Sequence, residues 1–162
     1  MPCSDVTEIL EVVLDGDENL RDYSFNKRTC GQGIGVANLI IDQLRGRSLN
    51  ELLFVTADEF LGEFTIPDPT EEFLSLKHLF AIQGALEVYS GAESGGVNDA
   101  FAVSGIDYGE DDISIRGMIS VDVVTEKIKS CGGCKGCGSS RSKPKKKRTK
   151  KTPAKAAESV QA

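Results

Sequence analysis

The chain has no tryptophan, one histidine, and no run of apolar residues long enough to cross a bilayer, which takes about 18 or more. Hydrophobic residues still make up 40% of its 162 positions, while aromatics are only 6%, so a core is affordable and must be mostly aliphatic. Met1-Pro2-Cys3-Ser4-Asp5 lacks the basic-then-apolar order of a secretory signal, which predicts a cytoplasmic protein with reduced thiols. No Ser/His/Asp array, phosphate-binding glycine loop or paired catalytic carboxylates appear, and Asp and Glu are plentiful but scattered. These absences point to binding rather than turnover, and the chain is read as not an enzyme.

Five cysteines are present: Cys3, Cys30, Cys131, Cys134 and Cys137. An odd number in a reducing compartment argues against a disulfide framework and leaves metal ligation, reactivity or burial. Charge is divided unevenly along the chain. From Arg141 onward nine Lys/Arg face one acid, Glu158, a balance of +8 that leaves −14 for residues 1–140 within the total of −6. An acidic body excludes a nucleic-acid-binding fold throughout. The tail around Lys143-Pro144-Lys145-Lys146-Lys147-Arg148 is of the type that binds polyanions without reading sequence. Nucleic-acid contact, a solubilising extension and folding back on the acidic body all remain open for it.

Thr7–Leu14 and Leu20–Thr29 read as two strands joined through the turn cluster Asp15–Asn19. Val36, Leu39, Ile40 and Leu44 have helical spacing, with Gly46 as a stop. Ser48 with Glu51 forms a capping-box pattern, and Ala57–Phe64 suggests a further short helix. After the breaks at Pro67 and Pro69, a long amphipathic helix runs from Thr70 to about Tyr89. Residues 91–97 are a linker by composition, and 139–162 carry no apolar pattern and are expected to be disordered.

Cys30-Gly31-Gln32-Gly33 places a thiol just ahead of a predicted helix, where the helix dipole and free N–H groups favour the thiolate. Locally, a glycine-rich turn that contains a cysteine by chance explains these residues as well. The wider block reads Tyr23-Ser24-Phe25-Asn26-Lys27-Arg28-Thr29-Cys30-Gly31-Gln32-Gly33, continuing to Arg45-Gly46-Arg47-Ser48-Leu49. It resembles the centre of the NifU/IscU family of iron–sulfur scaffolds. There a strand ends in Cys-Gly, a small-residue helix follows, and a basic-Gly-basic-Ser/Thr-Leu segment opens the next helix. Cys3-Ser4-Asp5 is similar to that family's Cys-Gly-Asp, so the likeness runs from Cys3 to about Tyr89.

The resemblance implies that Cys30 is the central cluster cysteine, Cys3 the first, and Asp5 the aspartate that aids release or binds zinc. On the helix near Leu76–Val88 the family has a third cysteine. An ungapped alignment on Ala85-Leu86 puts His78 there, beside Lys77. Imidazole replaces thiolate at iron in some [2Fe–2S] centres and is a common zinc ligand. Cys3, Asp5, Cys30 and His78 then make a mixed tetrad, with His78 as an ordinary polar residue of a helix face being the alternative. The family's helix and strand ahead of the first cysteine have no counterpart here, so a two-stranded sheet is expected. Its Leu-Pro-Pro-Val-Lys chaperone motif has Ile66-Pro67-Asp68-Pro69 as nearest match.

Cys131-Gly132-Gly133-Cys134-Lys135-Gly136-Cys137 spaces three thiols so that two or more reach one metal, iron–sulfur or zinc alike. The run from Phe101 to Cys137 is similar to the small [2Fe–2S] domain of NifU and of bacterioferritin-associated ferredoxin, but Asn98 and Ala100 stand at that domain's first cysteine pair. A cluster shared between the subunits of a homodimer, a transient cluster, or zinc would each fit three thiols. The sequence thus predicts an α+β protein: a small antiparallel sheet with helices on one face over residues 1–90, a small Cys-rich, mostly helical unit over 98–138, and the basic tail. The implied cargo is iron and a [2Fe–2S] cluster, with a cysteine desulfurase and apo acceptor proteins as partners.

Overall fold

The computed structural model describes residues 6–29, 32–34, 37–92 and 99–132. The expected hairpin forms from β1 (Val6–Asp15) and β2 (Leu20–Thr29), paired from Val6↔Thr29 to Leu14↔Leu20. Alternation sorts β1 by face: Glu8, Leu10, Val12 and Leu14 are buried, while Ile9, Glu11 and Val13 are only partly covered. A short β3 (Gln32–Ile34) adds to the outer side of β2.

Three short helices follow: α1 (Ile41–Leu44), α2 (Leu49–Phe54) and α3 (Ala57–Glu63). The Ser48/Glu51 capping box is present at α2, and Thr56 with Glu59 makes a second one at α3. The helix expected from Val36 is reduced, among the described residues, to the four of α1. Its would-be first turn is held by the sheet instead: Ala37 O accepts the Phe25 N–H at 2.6 Å, and the Ile40 N–H donates to the Tyr23 hydroxyl at 2.9 Å.

Helix α4 (Pro69–Tyr89) begins at an Asp68 cap with Pro69 in its first turn. It lies across β1 and two further strands, β4 (Phe101–Tyr108) and β5 (Asp112–Ile119), while α2 and α5 (Val121–Gly132) pack against it. From Leu76 to Leu86 only Phe80 is not fully buried, so this is a central helix rather than a surface one with a single apolar stripe. Gln83 fastens α2 to it by donating to the carbonyls of Leu52 and Val55 at 2.9 and 2.8 Å.

The α+β class and the helix-covered face are as expected, but the extent of the sheet is not. Residues 101–119 do not belong to a separate, mostly helical unit. They form a hairpin that continues the sheet: β5 pairs with β1 from Ile9↔Met118 to Asp15↔Asp112, and β4 pairs with β5. The result is five antiparallel strands in the order β3-β2-β1-β5-β4, with β1 in the centre. A two-stranded hairpin alone is marginal in water; β5 covers the free edge of β1, and β4 extends the sheet beyond it. The missed signal was Ile113, Ile115, Gly117 and Ile119, a period-two pattern after the turn residues Gly109-Glu110-Asp111. Only α5 of the expected helical unit is a helix among the described residues. Residues 93–98, which hold most of the expected linker 91–97, and residues 133–162, which hold the end of the expected Cys-rich unit and all of the expected tail 139–162, lie outside them.

No helix among the described residues is long and apolar enough to cross a membrane.

Candidate functional site

Sheet alternation brings Glu8 of β1 and Tyr23, Phe25 and Lys27 of β2 to the helix-covered face, with Glu8 directly opposite Lys27. Helix α4 lowers Lys77 and His78 onto them. The Lys77 ammonium is 2.8 Å from both Glu8 oxygens, hydrogen-bonded to Oε1 and in charge contact only with Oε2. Lys27 Nζ approaches Oε1 at 3.4 Å from a more open position. Lys77 also sits over the Phe25 ring, 5.1 Å from its centroid. Glu8 and Lys77 are 2% and 7% exposed, so this is a buried ion pair with a second cation at its rim.

His78 packs against Phe25 at 4.7 Å between ring centroids and meets Tyr23 edge-on. The Tyr23 oxygen already accepts the Ile40 N–H, so its own proton goes to His78 Nδ1 at 2.9 Å. A neutral imidazole that accepts at Nδ1 carries its hydrogen on Nε2. Burial, with the Lys77 charge adding to it, pushes the His78 pKa down to about 4 and so favours this neutral form. Burial likewise pushes the Tyr23 phenol up, keeping it a donor. Metal binding through Nε2 would need the opposite tautomer and would strip the Tyr23 proton of its partner, at a cost of about 1–3 kcal/mol for a buried donor.

A pH dependence follows. In the unfolded chain His78 titrates near the ordinary imidazole value of 6.5, and in the folded chain burial brings it to about 4. Between these values the unfolded state binds more protons, so its contribution is complete above pH 6.5 and is lost as pH falls towards 4. The difference is on the order of 3 kcal/mol. Urea titrations of the metal-free chain at pH 7 and pH 4.5 should show this decline, and His78→Phe should flatten it. An equal decline in His78→Phe would show that other groups cause it.

Of the site residues expected from sequence, Cys3, Asp5, Cys30, Cys134 and Cys137 lie outside the described residues. Cys131 is the penultimate residue of α5, and its side chain is also outside them. Among the described residues no group of three or more His, Cys, Asp or Glu side chains could hold a metal ion. What the structure does supply is the register around them. Val6 pairs with Thr29, and Thr29 in turn with Gln32. The neighbours in sequence of Asp5 and Cys30 are therefore bonded partners, one step from both and on the same end of the sheet as Glu8 and Lys27.

The three-cysteine segment leaves from elsewhere. Lys127, one turn before Cys131, lines a small cavity with Glu87 and Val88 near the end of α4. That is about 15 Å along the helix from His78. Sequence reasoning missed Glu8, Lys27, Lys77 and Tyr23 as members of one cluster. Glu8 was the readable signal: a charge on the buried parity of an otherwise apolar strand, which requires a buried partner.

No family model matches the chain, and no match was found among curated proteins or solved structures.

Proposed function

We propose that this chain is a cytoplasmic scaffold that gathers iron and sulfide into a cluster on Cys3, Asp5 and Cys30 and passes it to apo acceptor proteins. The observation that carries the reading is the Val6↔Thr29 pair. It joins the two segments in which the NifU/IscU resemblance puts the first two cysteines and the aspartate. Among the described residues, Lys77 and Lys27 gather on Glu8 at the end of the sheet where Val6 pairs with Thr29, and cations near a thiol favour the thiolate, the form that binds metal. A carboxylate among thiolates makes a more labile site than thiolates alone, which suits a carrier. His78 joins as a fourth ligand only through Nε2, and a cysteine desulfurase is the class of enzyme that would deliver the sulfur.

The test is anaerobic reconstitution with iron and sulfide, followed by visible absorption. Cys30→Ala should remove most of the chromophore, and Cys134→Ala reports whether the second cysteine set holds a cluster of its own. A colourless wild-type sample that binds zinc would end the scaffold reading and leave a zinc protein. Unchanged absorption in Cys30→Ala would move the cargo away from this end of the sheet.

A further inference from the structure

Phe54 is the most exposed large apolar side chain among the described residues, with 78% of its surface open. Single apolar side chains on a surface are ordinary. This one differs in how firmly its backbone is held. It ends α2, and the buried Gln83 of α4 donates both amide hydrogens to the carbonyls of Leu52 and Val55, which bracket it in sequence. Capping boxes at Ser48/Glu51 and Thr56/Glu59 fix the helix starts on either side. A side chain presented from a backbone already held in place loses less freedom on binding, as an interface anchor requires.

The surroundings carry one sign of charge. Residues 48–76 contain seven Asp or Glu and no Lys or Arg. Of the cations that bound this stretch, Arg47 is held by Glu63 at 2.6 Å, and Lys77 is buried on Glu8. Glu51, one turn before Phe54, and Asp58 and Glu59, shortly after it, are all exposed. Hydrogen bonds from the Ser48 and Thr56 backbones lower the pKa values of Glu51 and Glu59, so both carboxylates stay charged.

We infer that the turn between α2 and α3 is a docking surface for a basic amphipathic helix of a partner protein, with Phe54 as its apolar anchor and Glu51, Asp58 and Glu59 as its acidic rim. Apolar residues at helical spacing cover the ring, and flanking Lys or Arg meet the carboxylates. The chain's own basic tail does not fit this description, since residues 138–159 hold no large apolar side chain. Docking here is independent of the cargo proposed above.

The experiment is fluorescence anisotropy of a labelled leucine–lysine peptide with helical spacing, titrated with the metal-free full chain. A peptide with serine at every leucine position has the same charge and is the control. Phe54→Ser should weaken binding of the first peptide about thirtyfold, the loss expected of an anchor. Phe54→Leu should keep most of it. Asp58→Asn with Glu59→Gln retains the anchor and should make binding less sensitive to salt. Met118→Ser changes a side chain that is 54% exposed on the helix-free face of the sheet, and should be silent. No binding by wild type, equal binding of the serine peptide, or equal losses in Phe54→Ser and Met118→Ser would each overturn the inference. So would a wild-type dimer that Phe54→Ser dissociates in sedimentation, since a second copy would then cover the ring. Each of these failures leaves the scaffold reading standing, because no iron or sulfide enters the measurement.

Discussion

Gly117→Ala should destabilise the protein by about 3 kcal/mol or more, through the hairpin that the sequence left outside the sheet. A Cβ on Gly117 would stand 2.4 Å from the Ala102 carbonyl oxygen and 2.4 Å from Phe101 Cζ. The first obstacle is backbone of the neighbouring strand and cannot turn away. The second is a ring only 1% exposed, packed where a side chain of β5 would otherwise be. Phe101 is fixed from the other side as well. Gly84 of α4 comes so close that a Cβ there would lie 3.3 Å from Phe101 Cβ. Methyl groups at positions 84 and 117 therefore press on the same residue from two directions. Thermal unfolding is the measurement, and a fall of roughly 10 °C is expected for a domain of this size. Gly105→Ala is the control: it lies in the paired strand, has open space around its Cβ position, and should cost far less. If Gly117→Ala melts with the wild type, β4 and β5 are not packed under α4 in this way.

Local signals were legible where local chemistry decides structure. The hairpin, both short helices α2 and α3, and the start of α4 each carry their own turn, cap or proline, and each forms as expected. Two expectations failed because distant partners decide them. The Ala37 carbonyl and the Ile40 N–H could have served a helix, but β2 and Tyr23 take them. The strands of residues 101–119 carry the alternation of a sheet, yet nothing in that stretch says that its partner is β1, some hundred residues earlier. Likeness to a small Cys-rich domain drew those residues toward a separate unit.

The candidate site divides along the same line. Its cysteines were visible from spacing and resemblance, being rare residues in marked contexts. The buried charge cluster was not, because Glu8, Lys27 and Lys77 come from three elements and only the strand register and the packing of α4 unite them. His78, singled out as the chain's one histidine, turns out to have a partner that sequence could not supply: the Tyr23 hydroxyl, 55 positions away.

Lys77→Met should cost about 3 kcal/mol, and the same change combined with Glu8→Leu should cost much less. Glu8 has no exposed side-chain surface, and Lys77 is its closest cation. Without Lys77 the carboxylate keeps only Lys27, at 3.4 Å and from the solvent edge. An uncompensated buried charge of this kind typically loses about 3–5 kcal/mol, and the remaining lysine holds the figure toward the lower end. Replacing both partners by apolar groups of similar size removes the desolvation cost together with the attraction, which is often neutral or stabilising. Urea unfolding of the metal-free single and double variants gives the coupling between the two residues directly. A double variant close to wild type, well below the sum of the two single variants, shows that the pair is retained at little net gain in stability, so its place between α4 and β1 needs a reason other than folding. Simple additivity would mean that Lys77 stabilises the fold through its contact with the Phe25 ring, and the charge on Glu8 would then be incidental to the packing of α4.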